Sequence, residues 1–456
     1  MTAQRFSGWH RWTYSLCNVG IAVGTVPTTL LLLYYLTQVA GLRASVAGLV
    51  VALPKIWDAL VDPMFGGWVD RFSVRIGGRS RVVLIAGIGF VGTLGLTFSL
   101  PQIHSSMQIL VMVTLLQIIS STSQTALGVT QFALATEMTE TPIGLSKLLS
   151  LAVVLSQILS VVFSILAPLL VAWSGGGSAG YSRMAAEMAA LTGVALLGFM
   201  LVTRAVPVGK RSAASEAMPT WAALRATLSN RPFYFLIAFV LFTNTSVAIL
   251  FGFLPFANQY VLGGNASGLS MLEGVLGVTV LLGMLLAPEF VRRLDAVVSM
   301  RICNLVVAGM SGLLFVASFG PIWTTWAVLA GAGLAAGVIG VLVQTATLIA
   351  TGLELKKSVV VSMGFYLGIM LSGMKIGNSL GGFVSGQLLE LVGFVSGNAQ
   401  QSPTTLMWLR AGYTLVPVVF TLIAGVFLQR VRLPIAPPAT TNTPDAALTE
   451  PNQAAL

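Results

Sequence analysis

The sequence predicts an all-α membrane protein whose twelve transmembrane helices fall into two bundles of six. Three observations predict it. Charged residues are 8% of the 456-residue chain and hydrophobic ones 56%, whereas soluble proteins carry about 25% charged residues. That balance excludes soluble enzymes, nucleic-acid-binding domains and disordered scaffolds. Twelve apolar runs have the length, about 20 residues, that a helix needs to cross the hydrocarbon core. The longest polar interruption, Pro207 to Arg231, divides those runs six and six.

Taken in order, the runs cover 14–36, 45–69, 82–100, 107–135, 148–173, 184–206, 233–260, 270–290, 300–319, 322–350, 359–390 and 405–430. The first lacks a small-residue cleavage site, so it reads as a retained helix, not a signal peptide. Runs longer than 25 residues must tilt or bend, and Pro27, Pro54, Pro63, Pro168, Pro255 and Pro417 mark expected kinks. The 48 glycines suit close helix packing in lipid. The predicted organisation is an N-terminal bundle over 1–206, a central cytoplasmic loop over 207–231, a C-terminal bundle over 232–432 and a disordered Pro-, Thr- and Ala-rich cytoplasmic tail over 433–456.

Orientation follows from the 24 Lys and Arg residues. Nineteen fall on one side of the spans, among them Arg71, Arg75, Arg79, Arg81, Arg204, Lys210, Arg211, Arg225 and Arg231. Only Arg43, Arg183 and Arg410 fall on the other, and Lys55 and Lys375 lie inside spans. An excess of Lys and Arg marks the cytoplasmic side, which places both termini in the cytoplasm, as expected for a bacterial inner (plasma) membrane protein. The formal charge of +10 therefore belongs to topology and to anionic lipid headgroups, not to a nucleic-acid partner.

Enzyme signatures are missing. Cys17 and Cys303 give neither a disulfide framework nor a metal spacing. Gly87-Ile-Gly-Phe-Val-Gly92 fits a dinucleotide pattern but lies inside the third run with no strand before it. Asn265-Ala-Ser267 fits a glycosylation acceptor pattern that nothing else supports. There is no Walker A sequence, and His10 and His104 sit outside or at the edges of spans. The chain reads as no enzyme, and no cofactor is expected.

Charges inside the spans carry the functional reading. An ionisable group at the centre of a membrane helix costs about 2.5–3.5 kcal/mol or more and marks a functional site by default. The second run carries Lys55, Asp58 and Asp62, whose spacings of three and four put them on one helix face. That face must look into protein or water. Two carboxylates one turn apart, about 6 Å, repel when both are ionised, and the pair is relieved by a proton or a bound cation. Hard oxygen ligands suit small hard cations, so the pair has the chemistry of a coupling-ion site. A structural salt bridge from Lys55 to one Asp is the competing reading, and it leaves the second Asp unexplained. Lys375, flanked by Gly373 and Gly377 in the eleventh run, is either a fixed counter-ion for these acids or a charge that senses whether the site is occupied. Glu187, Glu273, Glu289 and Glu390 are expected at span ends, with Glu273 the nearest to lying a turn inside. Asp70, at a helix end among four arginines, either forms an ion-pair latch there, making Asp70 and Arg71 a cytoplasmic gate, or belongs to a solvated basic loop. Asn18, Gln124, Gln131, Gln157, Asn244, Gln344 and Asn378 place amides within spans, either lining a pocket or bonding helix to helix.

These residues carry a resemblance. Six and six spans with a Gly67-Trp-Val-Asp-Arg71 loop after the second resemble the major facilitator superfamily. Ile56-Trp-Asp-Ala-Leu-Val-Asp-Pro63 is similar to the span-two signature of its glycoside–pentoside–hexuronide:cation symporters, the melibiose-carrier-like family, as are the Leu134–Thr139 and Gly373–Gly377 segments. The resemblance implies the major facilitator fold, and it implies Asp58 and Asp62 as cation ligands, with Thr125 adding a hydroxyl. Lys375 falls on the family's span-eleven lysine and Lys55 on a basic residue just before the carboxylates. There are departures. Val61 stands where a polar side chain is linked to ion choice, so H+ and Na+ both stay open and the proton gains weight. Ala22, Gly128, Phe132 and, by approximate alignment, Ala152 stand where the melibiose type holds its sugar, so a galactoside is not the expected solute. Asn18, Gln124, Gly128, Phe132 and Asn378 are the expected substrate-lining residues. The expectation is a monomeric, lipid-embedded, cation-coupled secondary transporter of a small organic solute, sugar or sugar-like, working by alternating access. Its only bound metal would be Na+ at Asp58 and Asp62. The alternatives are a proton-coupled exporter of an amphipathic non-sugar solute and a non-transporting protein on a transporter scaffold.

Overall fold

The computed structural model describes residues 8–100, 105–139, 142–205, 225, 227, 229–355, 363–398 and 400–432. The central-loop segment 206–224 and the tail 433–456 therefore lie outside the described residues, as do the side chains of Asp70 and Arg71, so the expected cytoplasmic gate is not placed.

With no water in a bilayer to satisfy N–H and C=O groups, apolar stretches of this length fold as helices. The helices are α1 (Gly8–Leu30), α2 (Leu32–Gln38), α3 (Ala44–Arg75), α4 (Arg79–Thr97), α5 (Ser106–Met138), α6 (Pro142–Trp173) and α7 (Gly177–Ala205) in the first half. The second half has α8 (Arg231–Phe256), α9 (Ala266–Arg293), α10 (Ala296–Ala317), α11 (Ile322–Leu355), α12 (Met363–Leu391) and α13 (Pro403–Gln429). Together α1 and α2 make the first span, broken only at Leu31 (φ −111°, ψ −12°), four residues after Pro27. Backbone bonds from Leu31 to Pro27 (2.9 Å) and from Tyr35 to Leu31 (2.7 Å) carry the ladder across the break. Pro54 and Pro63 leave α3 uninterrupted. Pro255 precedes a π turn over Ala257–Val261 that ends the seventh span; such a turn re-aims side chains where a helix must bulge.

Helix starts are set by side chains. Asn230 accepts from the Phe233 N–H (3.3 Å), Asn265 from the Gly268 N–H (3.1 Å), Asp295 from the Val297 N–H (3.0 Å) and the Ser402 hydroxyl from the Thr405 N–H (3.1 Å), each satisfying an amide that the helix leaves open. Asn265 of the glycosylation-like triplet is therefore a cap.

The two bundles share one packing pattern. In the first, α1 packs on α6 and α7, α5 on α3 and α4, and α4 on α7. In the second, α8 packs on α12 and α13, α11 on α9 and α10, and α10 on α13. Moving each pair six spans along the chain turns the first set into the second, the mark of a repeated half. Between the bundles α3 lies on α12 and α6 on α9. Among the described residues, eleven helices are long and apolar enough to cross a membrane. The twelfth, α12, falls short by that measure, and it carries Lys375, Asn378 and Gln387 against the other bundle. At one end α3 and α12 touch backbone to backbone: a Cβ added to Gly386 would meet Ala44 O and Gly48 Cα at 2.6 Å. This end is called distal, and the end carrying both ends of the described chain is called terminal.

Candidate functional site

Asp62 lies eighteen residues into α3, about 27 Å at the helical rise, which places it near the middle of the bundle. On α12, Gly373 and Gly377 turn towards α8, where a Cβ on Gly377 would sit 2.3 Å from Leu241 O. That close seat holds α12 against α8 while Lys375, on the other face, reaches α3. The Lys375 ammonium lies 2.6 Å from Asp58 Oδ2 and also pairs with Asp62 Oδ2. From α5 the Thr125 hydroxyl donates to Asp62 Oδ1 at 2.8 Å and reaches Asp58 Oδ1 at 3.4 Å. Ser121, one turn earlier on α5, donates its hydroxyl to Ile118 O at 3.2 Å and lies close to Asp58. The two carboxylates retain only 12% and 18% of their side-chain exposure.

The structure thus brings Asp58, Asp62, Thr125 and Lys375 into one cluster spanning both bundles. Lys55 stays apart. Among the described residues it makes no hydrogen bond and no ion pair within 4 Å, and its side chain lines a cavity of about 260 Å³ with Thr28, Thr29, Asn244 and Asn378. The expected salt bridge from Lys55 to an acid is not formed, because Lys375 occupies both carboxylates. Thr125, Gly128 and Phe132 share one stripe of α5. Nothing lies within 4 Å of a Cβ built on Gly128, and Phe132 is 61% exposed, so below Thr125 this stripe faces open space. Gln124 donates weakly to Ser120 Oγ (3.4 Å), and Asn18 is half-buried away from the cluster with no hydrogen bond among the described residues. Gln131 bonds helix to helix, accepting the Tyr14 hydroxyl on its backbone carbonyl and donating its amide to Tyr14 O.

Two acids, Glu273 and Glu187, lie deeper in their helices than expected. Glu273 was expected at a span end and is instead 3% exposed, two turns inside α9, with Oε1 lacking a hydrogen-bond partner among the described residues. The helix begins at Ala266, not at 270, which carries the acid deeper. Glu187 was also expected at a span end and instead lies ten residues into Gly177–Ala205, exposed and paired with Arg183. Glu289 and Glu390 do lie near helix ends, paired with Arg292 and Arg293 and with Arg43.

Sequence reasoning missed the distal closure. Tyr34 on α2 donates to Gln259 at the end of the seventh span, and Tyr260 donates back to Gln38 on α2 at 2.7 Å. Each half contributes one Tyr and one Gln at matching places. Arg43 adds an ion pair to Glu390 at 2.6 Å. The Tyr34–Gln259, Tyr260–Gln38 and Arg43–Glu390 bonds lie on the distal side of the Lys375 cluster. The missed signal was polar Tyr and Gln residues at corresponding ends of spans one and seven, which read as ordinary interfacial residues. Replacing both Tyr34 and Tyr260 by Phe removes two bonds of about 0.5–1.5 kcal/mol net each. In a chain freed of Cys17 and Cys303, a cysteine at buried Leu33 should then react several-fold faster with an impermeant maleimide added from the distal side. Unchanged labelling would show that these bonds do not hold the closure.

Residues 13–435 match the family described as MFS/sugar transport protein. The chain is 27% identical to the uncharacterised symporter YnaJ of Bacillus subtilis (strain 168), covering 90% of this chain and 87% of that one. It is 23% identical to the isoprimeverose transporter of Lactiplantibacillus pentosus, covering 90% and 85%. Among solved structures it is similar to a bacterial homologue of the lysosomal transporter Spinster, captured inward-facing and unoccupied, with a TM-score of 0.72 at 16% identity over 94% of this chain and 97% of that one. It is also similar to the nucleoside transporter NupG, with a TM-score of 0.69 at 15% identity over 93% and 99%. Both structures carry the same fold.

Proposed function

We propose, from the chain's membership of the MFS/sugar transport protein family, that this secondary transporter is coupled to a cation, H+ or Na+, and carries a small organic solute of sugar-like size. One observation carries the reading: the Lys375 ammonium of one bundle sits between two carboxylates of the other. Those carboxylates, with the Thr125 and Ser121 hydroxyls, form an all-oxygen set suited to a small hard cation, and an ammonium is the cation that occupies it now. A coupling ion competes with Lys375. When it binds, the charge tie between α3 and α12 is released, and with it a buried polar link between the bundles. Ion binding thereby biases the rocking of one half against the other about a site at the midplane. The terminal face is the cytoplasmic one, as its Lys and Arg residues imply.

The site also sets the energetics. The membrane potential contributes about 2.3 kcal/mol per 100 mV for each net charge that crosses, and the ion's concentration gradient supplies the rest. The test is purified protein in liposomes, given an imposed Na+ or proton gradient and a panel of labelled monosaccharides, pentosides and sugar acids. Accumulation of one solute above its external concentration under one gradient, abolished in an Asp58→Asn/Asp62→Asn variant, is the expected result. Accumulation by that variant with unchanged ion dependence would sink the assignment.

A further inference from the structure

We propose that the cavity beside Lys55 is an anion site, taking the carboxylate of a small hydroxylated monocarboxylate that is carried with the coupling cation as a neutral pair. This rests on the cation-coupled reading above and names its solute class.

Lys55 feels the charge of Asp58 but has no ion pair within 4 Å and no hydrogen bond among the described residues. Lys55 is an ammonium in the middle of a membrane-spanning helix, where a lone charge is costly and is normally paired. Its natural partners are already engaged. Asp58, one turn along the same helix, and Asp62 both hold Lys375. The other elements around the cavity bring no charge: α1 offers Thr28 and Thr29, α8 offers Asn244, and α12 offers Asn378. Among the described residues lining it, the cavity therefore presents one cation and no anion.

The polar lining around that charge is uncommitted. The Asn244 amide donates to Val240 O at 2.8 Å, which leaves its side-chain oxygen free to accept. Neither Asn378 nor Thr29 has a side-chain hydrogen bond among the described residues. A carboxylate would lie on Lys55, and hydroxyl groups would exchange hydrogen bonds with Asn244, Asn378 and Thr29. A volume of about 260 Å³ falls below the roughly 300–1,000 Å³ of pockets for drug-sized molecules, so the occupant is small. Both bundles line the cavity, so the occupant bridges them, as a solute in an alternating-access carrier must.

Charge counting ties the two sites together. With all four groups ionised, Asp58 and Asp62 balance Lys55 and Lys375. A monovalent cation between the acids brings the cluster to +1, and a monovalent anion on Lys55 returns it to zero. Each ligand therefore favours the other, and the pair that crosses carries no net charge.

The test uses the purified full chain and three matched probe pairs: glucuronate and glucose, gluconate and sorbitol, glycerate and glycerol. Melting temperature is read against probe concentration, with and without Na+ at fixed pH and across a pH series without Na+. At least one carboxylate should stabilise the protein while its neutral partner does not. Lys55→Gln should weaken that carboxylate at least tenfold, and Lys55→Arg should restore most of it. In liposomes, uptake of the same carboxylate should not change when valinomycin and K+ set the voltage. Preference for a neutral partner, carboxylate binding that survives Lys55→Gln, voltage-driven uptake, or no stabilisation by any of the three carboxylates would each overturn the proposal. The cation-induced shift in the natural chain is the separate control. If it is present while the carboxylate arms fail, only this proposal falls, and if it is absent, the coupled reading falls with it.

Discussion

A Lys375→Ala variant should bind the coupling cation at least a hundredfold more tightly than the natural chain and yet fail to accumulate solute against a gradient. The reason is that the ammonium is a tethered competitor. It sits 2.6 Å from Asp58 and also on Asp62, where the ion would have to go. Removing one partner of a buried ion pair typically costs about 3–5 kcal/mol, because the remaining charge is left uncompensated. Here two carboxylates one turn apart would be left with only the Thr125 and Ser121 hydroxyls. A cation that enters recovers most of that cost, and at about 1.4 kcal/mol per decade the gain amounts to two decades or more. Coupling fails for the same reason: with no ammonium to displace, ion binding no longer frees α12 from α3. Na+ or proton titration of the melting temperature reads the affinity, and counterflow against gradient-driven uptake separates binding from coupling. Unchanged ion affinity in Lys375→Ala would mean that the ammonium and the ion do not share a place.

How far the sequence carried the reading depends on what kind of signal each residue gives. Asp58, Asp62 and Lys375 stood out because hydrocarbon makes an ionisable side chain conspicuous in an apolar run. The helix period then predicted a shared face for the acids, and they do share one. The fold class followed from the same contrast between apolar runs and polar breaks, and the family membership supports it. What periodicity could not supply was partner choice across helices. That Lys375 takes both acids and leaves Lys55 alone depends on α12 lying on α3 and on the seat that Gly373 and Gly377 make against α8. Glu273 was misplaced because an apolar run does not reveal where a capping Asn starts the helix, and four residues moved the acid a full turn. Gln131 and Asn378 look alike in sequence. Only packing shows that one ties α5 to Tyr14 and the other faces a cavity. The Tyr and Gln residues of the distal closure were hidden for the converse reason, since polar aromatic groups near span ends are ordinary.

Gly386→Ala should cut transport roughly tenfold or more while leaving the protein folded, because it wedges the distal closure open. A single added Cβ would stand 2.6 Å from both Ala44 O and Gly48 Cα, and the reverse change at Gly48 would meet Gly386 Cα at 2.9 Å. These contacts are with backbone, which has no rotamer to yield, so the helices must part. Overpacking of this kind costs about 1–3 kcal/mol, which shifts the ratio of closed to open forms by roughly five- to more than a hundredfold. The strain need not unfold either bundle, since α12 keeps its seat on α8 and α3 its seat on α5. It falls on the joint between the halves, where it also works against the Lys375 tie near the middle of the same helix pair. The matched control is Gly368→Ala on α12, where nothing lies within 4 Å of an added Cβ; it should transport normally. Cysteine at Leu33 reports the opening directly, with faster distal labelling expected in Gly386→Ala and not in Gly368→Ala. Equal labelling and equal uptake in the two variants would mean that the bundles do not separate along α3 and α12, and the link drawn here between the ion pair and the rocking motion would lose its lever.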